Sequence, residues 1–170
     1  MVKPRGCEPG PRSGTSSPGT SGGATGSGQA IAVQRISTLD PQGDGTEKES
    51  LAGLAIDGNP GTSWHSDTYR TANFGGLKQG LGLVLDLGRR QSVSSVVLDV
   101  AGSGGQVELR GSDDPSSPGG AALASGRIEG SPVTLTPSQP AQTRYLVVWF
   151  TQLPTTDGEF KLDVSEIKVR

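Results

Sequence analysis

Thr143-Arg144-Tyr145-Leu146-Val147-Val148-Trp149-Phe150-Thr151 is the stretch that decides the fold class. In an extended chain Tyr145, Val147 and Trp149 fall on one face, and Leu146, Val148 and Phe150 on the other. A strand that is apolar on both faces is covered on both, so this one belongs at the centre of a packed sheet. Working outward, the same period of two recurs. Leu81, Leu83, Leu85 and Leu87 share one face; Val96, Leu98 and Val100 alternate with Val97 and Asp99. Val107 and Leu109 alternate with Glu108 and Arg110, and Val133 and Leu135 with Thr134 and Thr136. In the last segment Phe160, Leu162 and Val164 are followed by Ile167 and Val169. The apolar phase slips at Ser165-Glu166, which predicts a β-bulge there.

Turn-forming clusters separate these runs: Gly102 to Gly105, Asp113 to Gly120, Pro137 to Pro140, and Pro154 to Gly158. The one helical candidate is short, Glu47 to Ile56, with Leu51, Leu54 and Ala55 at helical spacing. About eight strands with Gly/Pro turns predict an all-β sandwich.

Composition bounds the function. The chain has 170 residues, a net charge of -2, one Cys and one His. The near-neutral balance gives no long-range attraction to phosphate backbones, which argues against nucleic-acid binding. Cys7 has no internal disulfide partner, and a single His, His65, excludes a His-rich transition-metal site. No apolar run is long enough for a membrane span, so no direct membrane insertion by this chain is expected.

Residues 1–29 differ from the rest. Eight Gly, four Pro, five Ser and three Thr fill most of them, and the first Ile, Leu or aromatic is Ile31. Such a segment buries too little to offset its ordering entropy, so 1–29 reads as a flexible linker. Residues 30–170 then form the sandwich, long enough to bury roughly two-thirds of the unfolded surface.

No nucleophile–base pair stands out, since His65 is the only histidine and no Gly-x-Ser-x-Gly elbow occurs. The Gly runs precede strands rather than helices, so no phosphate cradle is expected. The reading is a non-enzyme. Asp57-Gly58-Asn59-Pro60-Gly61-Thr62 makes a tight turn that gathers the oxygens of Asp57, Asn59 and Thr62. Such a turn suits a hard cation such as Ca²⁺, or closes on itself as an Asx-type turn. Trp64 beside it reads as core rather than as a sugar-stacking platform. The following loop carries Tyr69, Arg70, Asn73, Phe74 and Lys78. That mixture fits recognition of a polar ligand; the alternative is a loop folded back on the sheet with Tyr69 and Phe74 as anchors.

The order of motifs resembles the discoidin, or coagulation-factor type C, family. The elements are Ala55 to Trp64, Leu83-Val84-Leu85-Asp86-Leu87-Gly88 with Val93 to Val96, Val107 to Asp114, Thr143-Arg144-Tyr145-Leu146-Val147, and Val164-Ser165-Glu166-Ile167. The resemblance implies a galactose-binding-like jelly-roll sandwich, usually a non-catalytic appendage binding glycans, lipid headgroups or proteins. It also implies a structural Ca²⁺ held by Asp57, Asn59, Thr62 and Glu166. A narrower similarity covers Ser66 to Lys78, Leu135 to Ser138 and Thr143 to Trp149. These look like the C-terminal extracytoplasmic domain of actinobacterial MviN-type and membrane-tethered kinase-like proteins. That implies an extracytoplasmic domain tethered to a membrane through a preceding portion, in the setting of peptidoglycan precursors. The expected function is recognition of a cell-wall glycan or precursor by the Tyr69 to Lys78 loop. The alternative is docking to an envelope protein.

Overall fold

The computed structural model describes residues 28–170, together with Gly6. The linker expected over 1–29 thus lies almost wholly outside the described residues. Eleven strands are present among them: β1 (Arg35–Leu39), β2 (Trp64–His65), β3 (Leu81–Val93), β4 (Val96–Val100), β5 (Ser103–Ser112), β6 (Ala124–Glu129), β7 (Val133–Leu135), β8 (Ala141–Gln152), β9 (Thr155–Thr156), β10 (Glu159–Phe160) and β11 (Asp163–Val169). Three of these are two-residue pairings, so the surplus over eight lies mostly in short pieces at loop edges. β1 and β6 carry too little apolar alternation to stand out in the sequence, and their pairing with β3 and β5 is what makes them strands.

All pairings are antiparallel and form two sheets. The larger has the order β1-β3-β8-β5-β9-β10 with β6 also on β5; the smaller runs β2-β11-β4-β7. As its two apolar faces require, β8 lies between β3 and β5. Leu146, Val148 and Phe150 enter the core between the sheets. Val147 and Trp149 join Leu39 and Val84 in a second apolar layer on the outer face, with Tyr145 half-buried at its edge. Burying each large side chain of this kind is worth about 1.5–3 kcal/mol.

Glycines shape the outer layer. A Cβ at Gly80 or Gly82 would lie 2.4 or 2.8 Å from ring carbons of Trp149, so the indole rests on bare backbone. The Arg110 guanidinium covers it, 5.6 Å from the ring centre.

The expected bulge is present: the β11–β4 register shifts between Val164 and Glu166. The helical candidate is a 3-10 helix, Glu49–Ala55, which buries Ala52 and Ala55 at a spacing of three. The jelly-roll sandwich is the fold, as the strand pattern and the family resemblance imply.

β1 and β11 orient the molecule. Ile31 pairs with Val169, and the Ser94 amide donates to the Arg170 carbonyl, 2.6 Å. Gly28 packs there too, with Arg170 backbone 3.3 Å from where its Cβ would stand. Residues 28 and 170 thus meet at one pole. β1 ends at the other pole, at Leu39, where β3 begins with Leu81.

Candidate functional site

At that second pole, the loop after β1 and the loop between β2 and β3 line a pocket of about 940 Å³. Its floor is a polar cluster. The Lys78 ammonium donates to Asp40 Oδ2 at 2.5 Å, to Glu47 Oε2 at 3.0 Å and to the Tyr69 hydroxyl at 2.7 Å. The Tyr69 hydroxyl in turn donates to Glu47 Oε2 at 2.9 Å. Asp40 and Glu47 are buried, at 2 % and 5 % exposure. Burial works against the Lys78 charge, but hydrogen bonds with Asp40, Tyr69 and Glu47 outweigh it and raise its pKa above the ordinary lysine value. Burial also pushes the Tyr69 hydroxyl up to about 12; the Lys78 hydrogen bond pulls the other way.

The cluster is tied to the core through Glu47. Its amide takes the Thr38 hydroxyl as acceptor, 2.9 Å, and its carbonyl accepts the Trp64 indole N–H, 3.0 Å. Its Oε1 accepts the Asp67 amide at 2.6 Å. Trp64 is fully buried, as its expected core role requires. One polar atom has no partner: Asp40 Oδ1 is the buried side-chain oxygen that lacks a hydrogen bond among the described residues.

The five expected ligand residues separate. Tyr69, Arg70, Phe74 and Lys78 line the pocket. Arg70 is exposed, whereas Lys78 is engaged by carboxylates and serves the floor. Asn73 does not line the pocket; its Oδ1 accepts the Thr71 hydroxyl within the loop. Phe74 borders the pocket from the core side. Its side chain is fully buried in the core, edge-on to Tyr69 with ring centres 5.4 Å apart. The physical reason is that the loop folds inward here, so the anchor reading holds for Phe74. Phe74, Gly75 and Gly76 take successive φ values of 57°, 66° and 76°, a left-handed run that is costly for Phe. Beyond it Leu77 is thrust outward at 75 % exposure, on the rim of the pocket. Sequence reading missed Asp40, Glu47 and Leu77. Lys78 lies 38 and 31 residues from its two carboxylates, and nothing local marks such a pairing.

The turn residues Asp57, Asn59 and Thr62 do come together. Asp57 accepts the Asn59 amide at 2.8 Å and the Thr62 hydroxyl at 2.7 Å, and Asn59 accepts the Gly61 amide at 2.9 Å. The Thr62 hydroxyl, then the Asn59 amide, lower the Asp57 pKa. Glu166 makes no hydrogen bond to any of the three. It lies on β11 two residues beyond Val164, which pairs with Trp64. Glu166 is buried and directly opposite Asp99, a like-charge pairing that is unfavourable without compensation. The donors are all hard oxygens, which fit Ca²⁺ by chemistry. No group of three or more His, Cys, Asp or Glu side chains among the described residues could hold a metal.

No protein-family model matches the chain. Solved structures do. The CBM32 of AlyQ in complex with 4,5-unsaturated mannuronic acid superposes with a TM-score of 0.61 at 15% identity, covering 84% of this chain and 98% of that one. The family 32 CBM of C. perfringens NanJ, in complex with galactose, gives 0.56 at 20% identity over 82% and 96%. Chitosan-binding module 1 from a chitosanase/glucanase of Paenibacillus sp. IK-5 gives 0.58 at 17% identity over 84% and 99%. These likenesses bear on the sandwich and not on an MviN-type or kinase-like setting. The fold of this chain is the jelly-roll sandwich of family 32 carbohydrate-binding modules.

Proposed function

We propose that the protein is a non-catalytic glycan-binding domain that takes its ligand in the pocket floored by Asp40, Glu47, Tyr69 and Lys78. One observation carries the reading: the pocket combines an exposed apolar side chain, Leu77, with polar groups locked by mutual hydrogen bonds. A sugar offers C–H faces to the first and hydroxyl groups to the second, and prefixed partners lose little entropy on binding. The structural neighbours, one in complex with 4,5-unsaturated mannuronic acid, one with galactose and one a chitosan-binding module, support the same class of ligand. Within that class we infer a cell-wall glycan or peptidoglycan precursor, met outside the cytoplasm by a domain tethered through its N-terminal side.

Amide chemical-shift mapping with cell-wall oligosaccharides tests this. Shifts are expected at Tyr69, Arg70 and Leu77 at millimolar ligand, and Arg70→Ala weakens binding by about tenfold, the worth of one charged hydrogen bond. Absence of shifts at this pole with every glycan defeats the reading. Protein docking is the second reading, favoured by Leu77, the large hydrophobic side chain most exposed among the described residues. In that case no glycan shifts the amides of this pole, and Leu77→Asp abolishes capture of an envelope partner.

We also propose Ca²⁺ at the Asp57 turn. Asp57, Asn59, Thr62 and Glu166 would hold it, and the ion would neutralise Glu166 opposite Asp99 and pin the turn to β11. The melting temperature then rises with Ca²⁺ and falls with chelator, and Glu166→Gln removes the response. Identical melting curves with Ca²⁺ and with chelator leave the turn closed by its own hydrogen bonds.

A further inference from the structure

The charges around the pocket do not cancel. Asp40, Asp44, Glu47 and Asp67 line it, against Lys48, Arg70 and Lys78. Two of the three cations are already committed. Lys48 pairs with Asp67 at 2.6 Å, and Lys78 is shared between Asp40 and Glu47. The floor therefore holds two buried carboxylates on one ammonium, a surplus of one negative charge in a water-poor environment. Buried charge of this kind is unfavourable until a counter-charge or donor arrives. The third cation, Arg70, stands exposed in solvent, where its field is screened.

A second and independent feature lies on the same side. Asp40 Oδ1 is buried and has no hydrogen-bond donor, although Asp40 lines the cavity. The tight turn Pro41 to Asp44 packs on the Asp40 carboxylate: a Cβ on Gly43 would lie 2.1 Å from Oδ2 and 2.9 Å from Oδ1. That turn carries Asp44 outward to the pocket mouth, where no cation pairs with it among the described residues. The mouth and the floor are thus negative on the same wall.

We propose that this pocket selects an amino sugar, a glycan unit bearing a free ammonium group, over its N-acetylated and acidic counterparts. The inference rests on the glycan reading and specifies it. The ammonium lies against the Asp40–Asp44 wall, while the ring packs on Leu77 and Tyr69. A uronate in the same place would set its carboxylate against Asp40, Asp44 and Glu47, so the ligand preference differs from that named for the AlyQ module.

Calorimetry on the full chain with three probes decides it: a glucosamine tetramer, an N-acetylglucosamine tetramer and an oligomannuronate, at a pH where the glucosamine is protonated. At low salt the glucosamine tetramer binds about tenfold more tightly than the acetylated one, a gap that narrows as salt rises, and the uronate does not bind. Asp44→Asn, on an exposed turn, reduces the ratio between the first two; Asp40→Asn reduces it further if its melting curve shows it folded. Equal or tighter binding of the acetylated tetramer overturns the amine preference and leaves glycan binding standing. A salt-independent gap, or one unchanged in Asp44→Asn, also overturns it. Silence from all three, and from neutral sugars including galactose, overturns both.

Discussion

Replacing Lys78 with methionine is expected to destabilise the protein by about 3–5 kcal/mol, because it leaves Asp40 and Glu47 buried without their cation. The substitution keeps the apolar stem and removes only the charged end, so the loss measures the ammonium rather than packing. For a domain of this length that lowers the melting temperature by roughly 10 °C or more. The effect should be recovered in large part by Lys78→Met combined with Asp40→Asn and Glu47→Gln, which removes the orphaned charges. A single Lys78→Met variant that melts with the parent protein would show that solvent reaches the cluster freely. The pH dependence has a fixed sign. Lys78 and Tyr69 both have folded-state pKa values raised above their ordinary values of 10.5 and 10.0. Their contribution is fully present below about pH 10 and is lost as pH climbs through the folded values, so alkaline titration should unfold the protein earlier than Tyr69→Phe/Lys78→Met with the carboxylates removed.

Trp64→Ala is expected to cost about 3–5 kcal/mol, the range for emptying a large aromatic site in a packed interior. More informative is Trp64→Phe. It keeps most of the volume but deprives the Glu47 carbonyl of its indole donor, and leaving a buried acceptor unpaired costs about 1–3 kcal/mol. Because Glu47 also holds Tyr69 and Lys78, this core substitution should shift amide resonances across the pocket floor. Denaturant melts give the energies and the amide spectrum gives the coupling. If the spectrum changes only around Trp64, the indole is a core filler and the pocket stands independently of it.

How much of this could be read from the chain differs by element. β8 declared itself because six consecutive apolar residues on two faces admit few placements other than a central strand. The bulge at Ser165-Glu166 was equally plain, since a single slip of phase in a strand has one geometric meaning. The Asp57 turn was legible because all its hydrogen bonds are local. The pocket floor was not. Asp40 and Glu47 occupy a stretch of ordinary polar turn residues, and their partner Lys78 reaches them only after β2 and the left-handed run at Phe74 fold the loop back. Phe74 is ambiguous for a related reason. Among Arg70, Asn73 and Lys78 it resembled a ligand platform, yet an aromatic in a polar loop can also be the anchor that holds that loop down.

The side-by-side meeting of Gly28 with Arg170, at the pole away from the pocket, bears on how such a sandwich can be used. Entry and exit points that nearly touch let the unit be spliced into a loop of a host protein without prising that loop apart. They also permit a short bridge between residues 28 and 170, with fresh ends opened elsewhere, such as within Asp113 to Gly120. In either arrangement the pocket points outward from the host, and several copies on one surface would present their pockets in parallel.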